Sequence, residues 1–197
     1  MGTPTNPKIV LLFSGKRKSG KDYITDLLIS KLDPNQAIVL KISAPIKSFW
    51  AKSNNLNFDH LLSASSYKEQ HRRAMIDWSE EERCKDPGIF CRQAVEMYEA
   101  VEKPLWIVSD VRRPTDVTWF KESYPSKINT IRIDASEETR RKRGWTFTSG
   151  VDDEPSECGL DDYENWNWRY SNDDDNQEKL ESFLTDLTDF VKEHLKS

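Results

Sequence analysis

The sequence predicts an α/β fold in which a five-stranded parallel sheet is wrapped by helices. Short apolar runs alternate with helical patterns, which is typical of such sheets. Two of these runs, residues 8–13 and 105–109, are almost entirely apolar, as expected of central strands that are buried on both faces. The 197 residues suffice for one domain, and no internal repeat or long linker divides the chain.

The strands are predicted from runs of apolar and β-branched residues bounded by polar or turn-forming residues. A helical pattern over residues 23–32 connects the first strand to the second. The predicted strands lie at residues 8–13, 37–42, 105–109, 129–133 and 168–171.

A long helical stretch, residues 44–104, separates the second strand from the third. Its last helix is expected to begin with Asp86 as N-cap and Pro87 at the first position. Ligands of α/β proteins bind at the carboxyl edge of the sheet, so an insert here predicts a helical substrate-binding region. The helical patterns of the insert cover residues 45–52, 58–62, 67–83 and 87–101.

The last third of the chain is predicted to form a lid and a closing helix. A charged helix is expected over residues 134–143, followed by a mobile loop at 144–162, and together they indicate a lid over residues 135–162. The closing helix, residues 176–196, has one apolar face that should pack on the domain. That face consists of Leu180, Phe183, Leu184, Leu187, Val191 and Leu195.

A glycine-rich loop follows the first strand and predicts a P-loop NTPase. Gly15 and Gly20 let backbone N–H groups turn toward a phosphate chain, which Cβ atoms would obstruct. The helix after the loop adds free N–H donors, and Lys21 can reach the β- and γ-phosphates of ATP. The predicted ATP-binding residues of this phosphate-binding loop are Gly15, Lys16, Arg17, Lys18, Ser19, Gly20, Lys21 and Asp22.

Two aspartates are the candidate Mg²⁺ ligands. Asp22 occupies the eighth loop position, where Ser or Thr usually ligates the metal, and a carboxylate is also a good ligand. Asp110 ends the third strand and could hold the metal shell, or it could serve as a helix N-cap or turn residue. The next residue is Val111 rather than a water-activating Glu, which disfavours an ATPase.

Arginines after the third and fourth strands are candidates for phosphoryl transfer. Arg112 and Arg113 could bind an anionic substrate and stabilise the transferring group, or form a solvated pair. Arg140 and Arg143, three residues apart, are expected to share a helix face and to close over the triphosphate. An exposed charged face is the alternative. The acidic segment 151–157 could contact metal or substrate, or be a solvated loop.

Cations of the insert are candidates for binding a second phosphate or a carboxylate. Arg72 and Arg83 are eleven residues apart and should point the same way. Lys47 and Arg92 lie near the starts of neighbouring helices, and each of the four could instead be an ordinary surface residue. The other side of the Arg72 helix is predicted to be apolar, through Ala74, Met75 and Trp78.

Composition excludes several classes of protein. The net charge is −5 with clustered cations, which suits a small anionic ligand rather than duplex nucleic acid. No apolar run approaches membrane-spanning length. Three cysteines without a C-x-x-C pair favour a reducing, cytosolic setting, and no zinc motif is present. The start lacks the apolar stretch of a signal peptide, and the end is not a peroxisomal signal.

Several segments together resemble the animal-type phosphomevalonate kinases. The likeness covers nearly the whole chain, and Asp at position 22 is itself a trait of that family. The segments that carry it are residues 11–22, Ser-Ser-Tyr-Lys-Glu at 65–69, Asp-Pro-Gly at 86–88, Phe-Cys-Arg at 90–92, Val-Ser-Asp at 108–110, Arg-Arg at 112–113, Arg-Gly-Trp at 143–145, Val-Asp-Asp at 151–153 and Ser-Glu-Cys-Gly-Leu-Asp at 156–161.

The resemblance implies a nucleoside-monophosphate-kinase-like fold, a monomer, and phosphorylation of (R)-5-phosphomevalonate by ATP. It places the reaction in the mevalonate pathway to isoprenoids and sterols, cholesterol included. Asp173 to Asp175 depart from the family pattern. The roles expected by motif match are catalysis by Lys16, Lys21 and Arg112, ATP binding by the loop with Arg140 and Arg143, and acceptor binding by Arg113, Arg83 and Asn172, with Lys47, Arg72 and Arg92 as further candidates.

Two alternatives remain at this point. A nucleoside monophosphate kinase would bind ATP in the same way, but its acceptor pocket would add stacking aromatics and amide donors, whereas the insert is rich in cations. A nucleotide-dependent switch that binds a protein partner is disfavoured because no Asn-Lys-x-Asp guanine-reading segment follows the strands.

Overall fold

A computed structural model describes residues 7–62, 66–173 and 176–196 of the chain. Within them, five parallel strands form one sheet in the order β2-β3-β1-β4-β5. The central strand β1 lies between β3 and β4, so the loop after it opens at the middle of the carboxyl edge. The strands are β1 (Ile9–Ser14), β2 (Ala37–Leu40), β3 (Leu105–Val108), β4 (Ile128–Asp134) and β5 (Trp168–Ser171).

Helices connect the strands and cover both faces of the sheet. In the described ranges, none of them combines the length and the apolar character that crossing a membrane would need. Ser65, the first residue of the Ser-Ser-Tyr-Lys-Glu segment, lies outside those ranges, and so do Asp174 and Asp175. The helices are α1 (Lys21–Ser30), α2 (Ser43–Ser53), α3 (Phe58–Leu62), α4 (Ser66–Lys85), α5 (Ile89–Met97), α6 (Pro114–Ser123), α7 (Glu137–Lys142), α8 (Pro155–Cys158) and α9 (Gln177–Lys196), with a 3-10 turn at Ala100–Glu102.

Alternate residues of β1 enter two separate apolar layers. Leu11 and Phe13 pack with residues of α1 and α9, whereas Val10 and Leu12 pack with residues of α5 and α6. All of these strand side chains are buried, which confirms that β1 is central. Because both faces are packed, the carboxyl edge is held rigidly beneath the loops that carry the candidate site.

Helix α6 was not predicted, although the sequence carries its signals. Pro114 is its first residue, and the Asp116 carboxylate accepts a hydrogen bond from the Arg113 N–H at 3.1 Å. Val117 and Phe120 are buried at helical spacing. A proline at the first helical position, followed by an acidic residue two places on, is a recognised start signal.

Two predicted helix starts are wrong. Helix α5 begins at Ile89, since the Asp86 carboxylate accepts from the Gly88 N–H at 3.1 Å and closes a turn before the helix. Helix α7 begins after Ser136, whose hydroxyl accepts from the Thr139 N–H at 3.2 Å. The chain up to Asp134 belongs to β4 instead, so the predicted helix overlapped a strand.

Candidate active site

The phosphate-binding loop connects the buried end of β1 to the start of α1. Gly20 has a φ of 90°, in the left-handed region, and a Cβ there would also overlap the side-chain amide of Asn172. A Cβ on Gly15 would lie 2.6 Å from the carbonyl oxygen of Ile133. Both glycines are therefore required by the local geometry, and their role in turning N–H groups toward a phosphate stays a prediction.

The Ser19 hydroxyl lies inside the loop and is available to bind a ligand. The backbone N–H of Ser19 donates to the carbonyl oxygen of Lys16 at 3.0 Å, which tightens the turn. Its hydroxyl is buried and has no hydrogen-bond partner among the described residues. A buried hydroxyl without a partner is costly, so this atom fits a ligand oxygen such as that of a phosphate.

Lys21 and Asp22 form a close pair at the start of α1. The Lys21 ammonium lies 2.6 Å from the Asp22 carboxylate and also donates to the carbonyl oxygen of Ser109. Burial lowers the pKa of Lys21, and the charge of Asp22 offsets this only in part. Burial alone would raise the pKa of Asp22, but the neighbouring Lys21 lowers it overall. The Asp22 side chain is 78% exposed, so it remains accessible to a cation.

A main cleft of about 770 Å³ lies beside the loop at the carboxyl edge of the sheet. It brings together the loop and most of the predicted acceptor cations. Tyr23 is the one aromatic residue on it among the described residues, and neither Asn nor Gln lines it there. The cations outside the loop that line the cleft are Lys41, Lys47, Arg72, Arg83, Arg112 and Arg113.

Three arginines, Arg83, Arg112 and Arg113, form what we call the arginine wall of the cleft. Arg83 is buried on α4 and lies 2.6 Å from the Asp116 carboxylate. Arg113 is also buried and pairs with Glu80. Burial lowers the pKa of Arg113, and the nearby charge of Arg83 lowers it further. The solvated-pair alternative is therefore wrong for Arg113.

Two expectations for the insert are wrong. Arg92 is not among the cleft-lining residues, because it lies on the outer side of α5 and pairs with the exposed Asp86. Ala74 is exposed, whereas Met75 packs with Ala51 and Leu61 in a small core. The expected alignment of Arg72 with Arg83 is confirmed, since both line the main cleft.

Asp110 caps helix α2. Its two carboxylate oxygens accept hydrogen bonds from the N–H groups of Ile42 and Ser43, at 2.6 and 3.0 Å. Asp110 itself lies in the turn after β3, and the N-cap positions of α2 and α6 are occupied by Ile42 and Arg113, so the turn-residue alternative is the one that the structure favours. Asp110 also borders the main cleft, and its role as a metal ligand stays a prediction.

Arg143 reaches the phosphate-binding loop from the turn after α7. Its guanidinium donates to the carbonyl oxygens of Ser19 at 3.0 Å and Asn172 at 2.8 Å, and the Asn172 amide donates to Ser19 at 2.8 Å. A side cavity of about 350 Å³ opens there. Its lining residues are Gly20, Tyr23, Arg143, Tyr170, Asn172, Asn176, Gln177 and Leu180.

These contacts correct two site predictions. Asn172 was expected on the acceptor side, but it follows β5 and lines the side cavity instead of the main cleft. Arg140 does not share a face with Arg143, because α7 ends at Lys142. Arg140 is buried over the ring of Trp145, 4.0 Å from its centroid, and lines neither cavity.

The acidic segment is bound to the loop rather than solvated. Arg17 lies 3.0 Å from the Asp152 carboxylate, and its N–H donates to Glu157 at 3.2 Å. Lys16 lies 2.6 Å from Asp161. The side chains of Asp152 and Glu157 are each 5% exposed, so the solvated-loop alternative is wrong for these two residues.

Several residues of the cleft were not predicted from the sequence. Lys41 directly follows β2, and its place after a strand at the carboxyl edge was an available signal. Asp116 could have been found as the acidic residue near the start of α6. Glu80, which supports the cleft without lining it, gave no local signal because its partner Arg113 is 33 residues away, and the pairing of Glu157 with Arg112, 45 residues away, was not predicted either.

Comparison with known proteins agrees with the geometry. The phosphomevalonate kinase family model matches residues 13–126, which is more than half of the chain. The chain is 52% identical over 157 residues to the phosphomevalonate kinase of Drosophila melanogaster, and this alignment covers 78% of the chain and 82% of that protein. The crystal structure of TT1252 from Thermus thermophilus has a TM-score of 0.56 and 18% identity, covering 92% and 97% of the two chains. That likeness concerns the fold alone.

Proposed function

This chain belongs to the phosphomevalonate kinase family, and from that premise we propose that it transfers the γ-phosphoryl group of ATP to (R)-5-phosphomevalonate. The products are ADP and (R)-5-diphosphomevalonate. The observation that carries the proposal is the continuity of the main cleft, which joins a phosphate-binding loop to the arginine wall, of which Arg83 and Arg113 are buried. Such a cleft suits two phosphorylated molecules placed end to end.

The donor side fits ATP. Backbone N–H groups of the loop and the unpartnered Ser19 hydroxyl suit the phosphate chain, and Lys21 supplies a positive charge next to it. The side cavity adjoins the loop at Gly20 and carries three amide side chains, from Asn172, Asn176 and Gln177. We assign the nucleoside of ATP to that cavity.

The acceptor side fits a small molecule that carries both a phosphate dianion and a carboxylate. Five cations other than Arg112 line the main cleft beyond the loop, and the lining offers a single aromatic residue and no amide side chain among the described residues. A nucleobase would need stacking and amide contacts, so this lining favours phosphomevalonate over a nucleoside monophosphate. The five cations are Lys41, Lys47, Arg72, Arg83 and Arg113.

The chemistry requires no general base. The nucleophile is a phosphate oxygen, which is already deprotonated at neutral pH, so positioning and charge neutralisation dominate the rate. We propose that Lys21 of the loop and Arg112 of the arginine wall, which both line the main cleft, stabilise the charge of the transferring group. We propose that Arg143, with the lid at residues 135–162, holds the nucleotide against the loop.

Magnesium is proposed at Asp22. The exposed carboxylate of Asp22 has the chemistry of a Mg²⁺ ligand, whereas both oxygens of Asp110 already bind backbone N–H groups. When bound, the ion neutralises charge on the phosphate oxygens of ATP. The acidic Asp152 and Glu157 are committed to loop cations and fit this role less well.

The test is a comparison of acceptors. Release of ADP is measured with phosphomevalonate, AMP, CMP and dTMP at equal concentrations. We expect phosphomevalonate to give by far the highest kcat/KM. A nucleotide that turned over faster would replace the proposal with the nucleoside monophosphate kinase alternative.

We further propose that the enzyme acts as a cytosolic monomer in the mevalonate pathway that leads to isoprenoids and sterols, cholesterol included. The three cysteines are unpaired, which suits a reducing compartment. Light scattering coupled to size exclusion tests the monomer, with an expected mass near 23.0 kDa. A mass of twice that value at micromolar concentration would contradict it.

A further inference from the structure

Asp116 is a buried carboxylate that joins two elements of the acceptor side. It lies on the first turn of α6 and is 1% exposed. One oxygen accepts from the Arg83 guanidinium at 2.6 Å. The other accepts from the backbone N–H groups of Arg112 and Arg113, at 3.2 and 3.1 Å. A single side chain therefore contacts all three members of the arginine wall.

The wall needs this negative charge. Arg83 and Arg113 are both buried and close enough for the charge of Arg83 to lower the pKa of Arg113. The Cys91 thiol lies 3.7 Å from Asp116, but burial raises the pKa of this thiol well above its usual value, so it stays neutral. In the part of the chain that the structure describes, Glu80 pairs with Arg113 and not with Arg83. Asp116 is thus the carboxylate that compensates Arg83.

We propose that Asp116 is a positioning residue, which sets the distance between acceptor-binding Arg83 on α4 and the arginines after β3. This inference rests on the proposed function of the cleft. Without the carboxylate, the two elements lose their direct link, and the acceptor phosphate no longer aligns with the γ-phosphate of ATP. Small misplacements of reacting groups have large effects on phosphoryl transfer.

The first test is the Asp116→Asn variant, which is nearly isosteric. We expect the KM for phosphomevalonate to rise about 10- to 100-fold, in keeping with the loss of a charge-assisted hydrogen bond. The KM for ATP should stay within about twofold, because the loop makes no contact with Asp116. The matched control is Glu82→Gln, which removes a surface ion pair with Lys85 on α4, the helix that carries Arg83. This variant should change neither the KM for phosphomevalonate nor the KM for ATP.

A double variant separates positioning from general stabilisation. The double variant carries both Arg83→Gln and Asp116→Asn. If Asp116 acts through Arg83, the fold-increase in its acceptor KM is well below the product of the fold-increases in the two single variants. A product of independent effects, with equal losses for both substrates, would indicate a merely structural role and overturn the proposal.

A second single variant covers the case in which Asp116→Asn does not fold. Asp116→Glu keeps the charge and adds one methylene group, so we expect a folded protein whose acceptor KM rises at least about threefold. An unchanged acceptor KM in either folded variant overturns the positioning role while leaving the proposed function intact. Failure of the wild-type enzyme to use phosphomevalonate would overturn both.

Discussion

The phosphate-binding loop and the arginine wall hold negative charge in different ways. The loop relies on backbone N–H groups and on two glycines, all within residues 15–22. The wall relies on side chains from α4 and from the turn after β3. Arg83 of α4 is held by Asp116 of α6, which lies 33 residues further along the chain. The loop therefore depends on local backbone conformation, with its cations Lys16 and Arg17 paired to distant carboxylates, whereas the wall depends on tertiary ion pairs throughout.

This difference determines how each region responds to change. Backbone donors carry no net charge and need no counter-ion, so the loop depends on steric room. The wall contains buried cations whose compensation comes from Asp116 and Glu80, so it depends on charge balance. We expect steric substitutions in the loop to affect ATP and charge substitutions in the arginine wall to affect the acceptor.

The largest effect is expected for Lys21→Ala. Its buried ammonium lines the main cleft at the end of the loop, so its loss removes charge stabilisation from the transferring group. We expect kcat to fall by at least about 10²- to 10³-fold. Circular dichroism should show an unchanged fold. Lys31→Ala, at the other end of α1 and paired with Glu181, is the control. A near-normal kcat for Lys21→Ala would remove this residue from the chemistry.

Arg113→Ala tests the charge-dependent side. We expect the acceptor KM to rise by the equivalent of roughly 1.5–3 kcal/mol, with the KM for ATP unchanged. Arg92→Ala removes an exposed arginine that pairs with Asp86 outside the cleft, and it should leave both constants unaltered. An effect of Arg113→Ala confined to ATP would move this residue to the donor side.

Gly20→Ala tests the steric side, and Gly144→Ala is its matched control. Both glycines have left-handed backbone, with φ values of 90° and 79°, so each alanine costs about 1–2 kcal/mol of stability. Only at Gly20 would the new Cβ overlap Asn172, since the space around Gly144 is open. We expect the KM for ATP to rise at least about tenfold in Gly20→Ala alone. Equal kinetics for the two variants would refute the steric account.

The smallest effect distinguishes the two aspartates. Asp110→Asn weakens the cap of α2, so unfolding should become easier by about 1 kcal/mol. The Mg²⁺ concentration that gives half-maximal rate should change by less than about threefold in this variant, whereas Asp22→Asn should raise it more. The reverse order in a magnesium titration would make Asp110 the principal metal residue.

The same contrast explains what the sequence could predict. The loop and the five strands were predicted because their signals are local, and Trp168–Ser171 was predicted with the bounds that the structure has. The position of Arg92 outside the cleft and the burial of Arg140 over Trp145 were missed although their partners are only six and five residues away, because the side on which each arginine lies depends on how its helix packs. Helix α6 is different: Pro114 and Asp116 were adequate signals that were not used.

The most direct test of the account is a crystal structure with a non-hydrolysable ATP analogue and 5-phosphomevalonate bound together. We expect the analogue's β- and γ-phosphates on the N–H groups of residues 15–22 and the acceptor phosphate against Arg83 and Arg113 of the arginine wall, with Lys21 and Arg112 in contact with the transferring group. A nucleotide bound away from the loop, or an acceptor bound outside the main cleft, would contradict the claim that one cleft aligns both substrates.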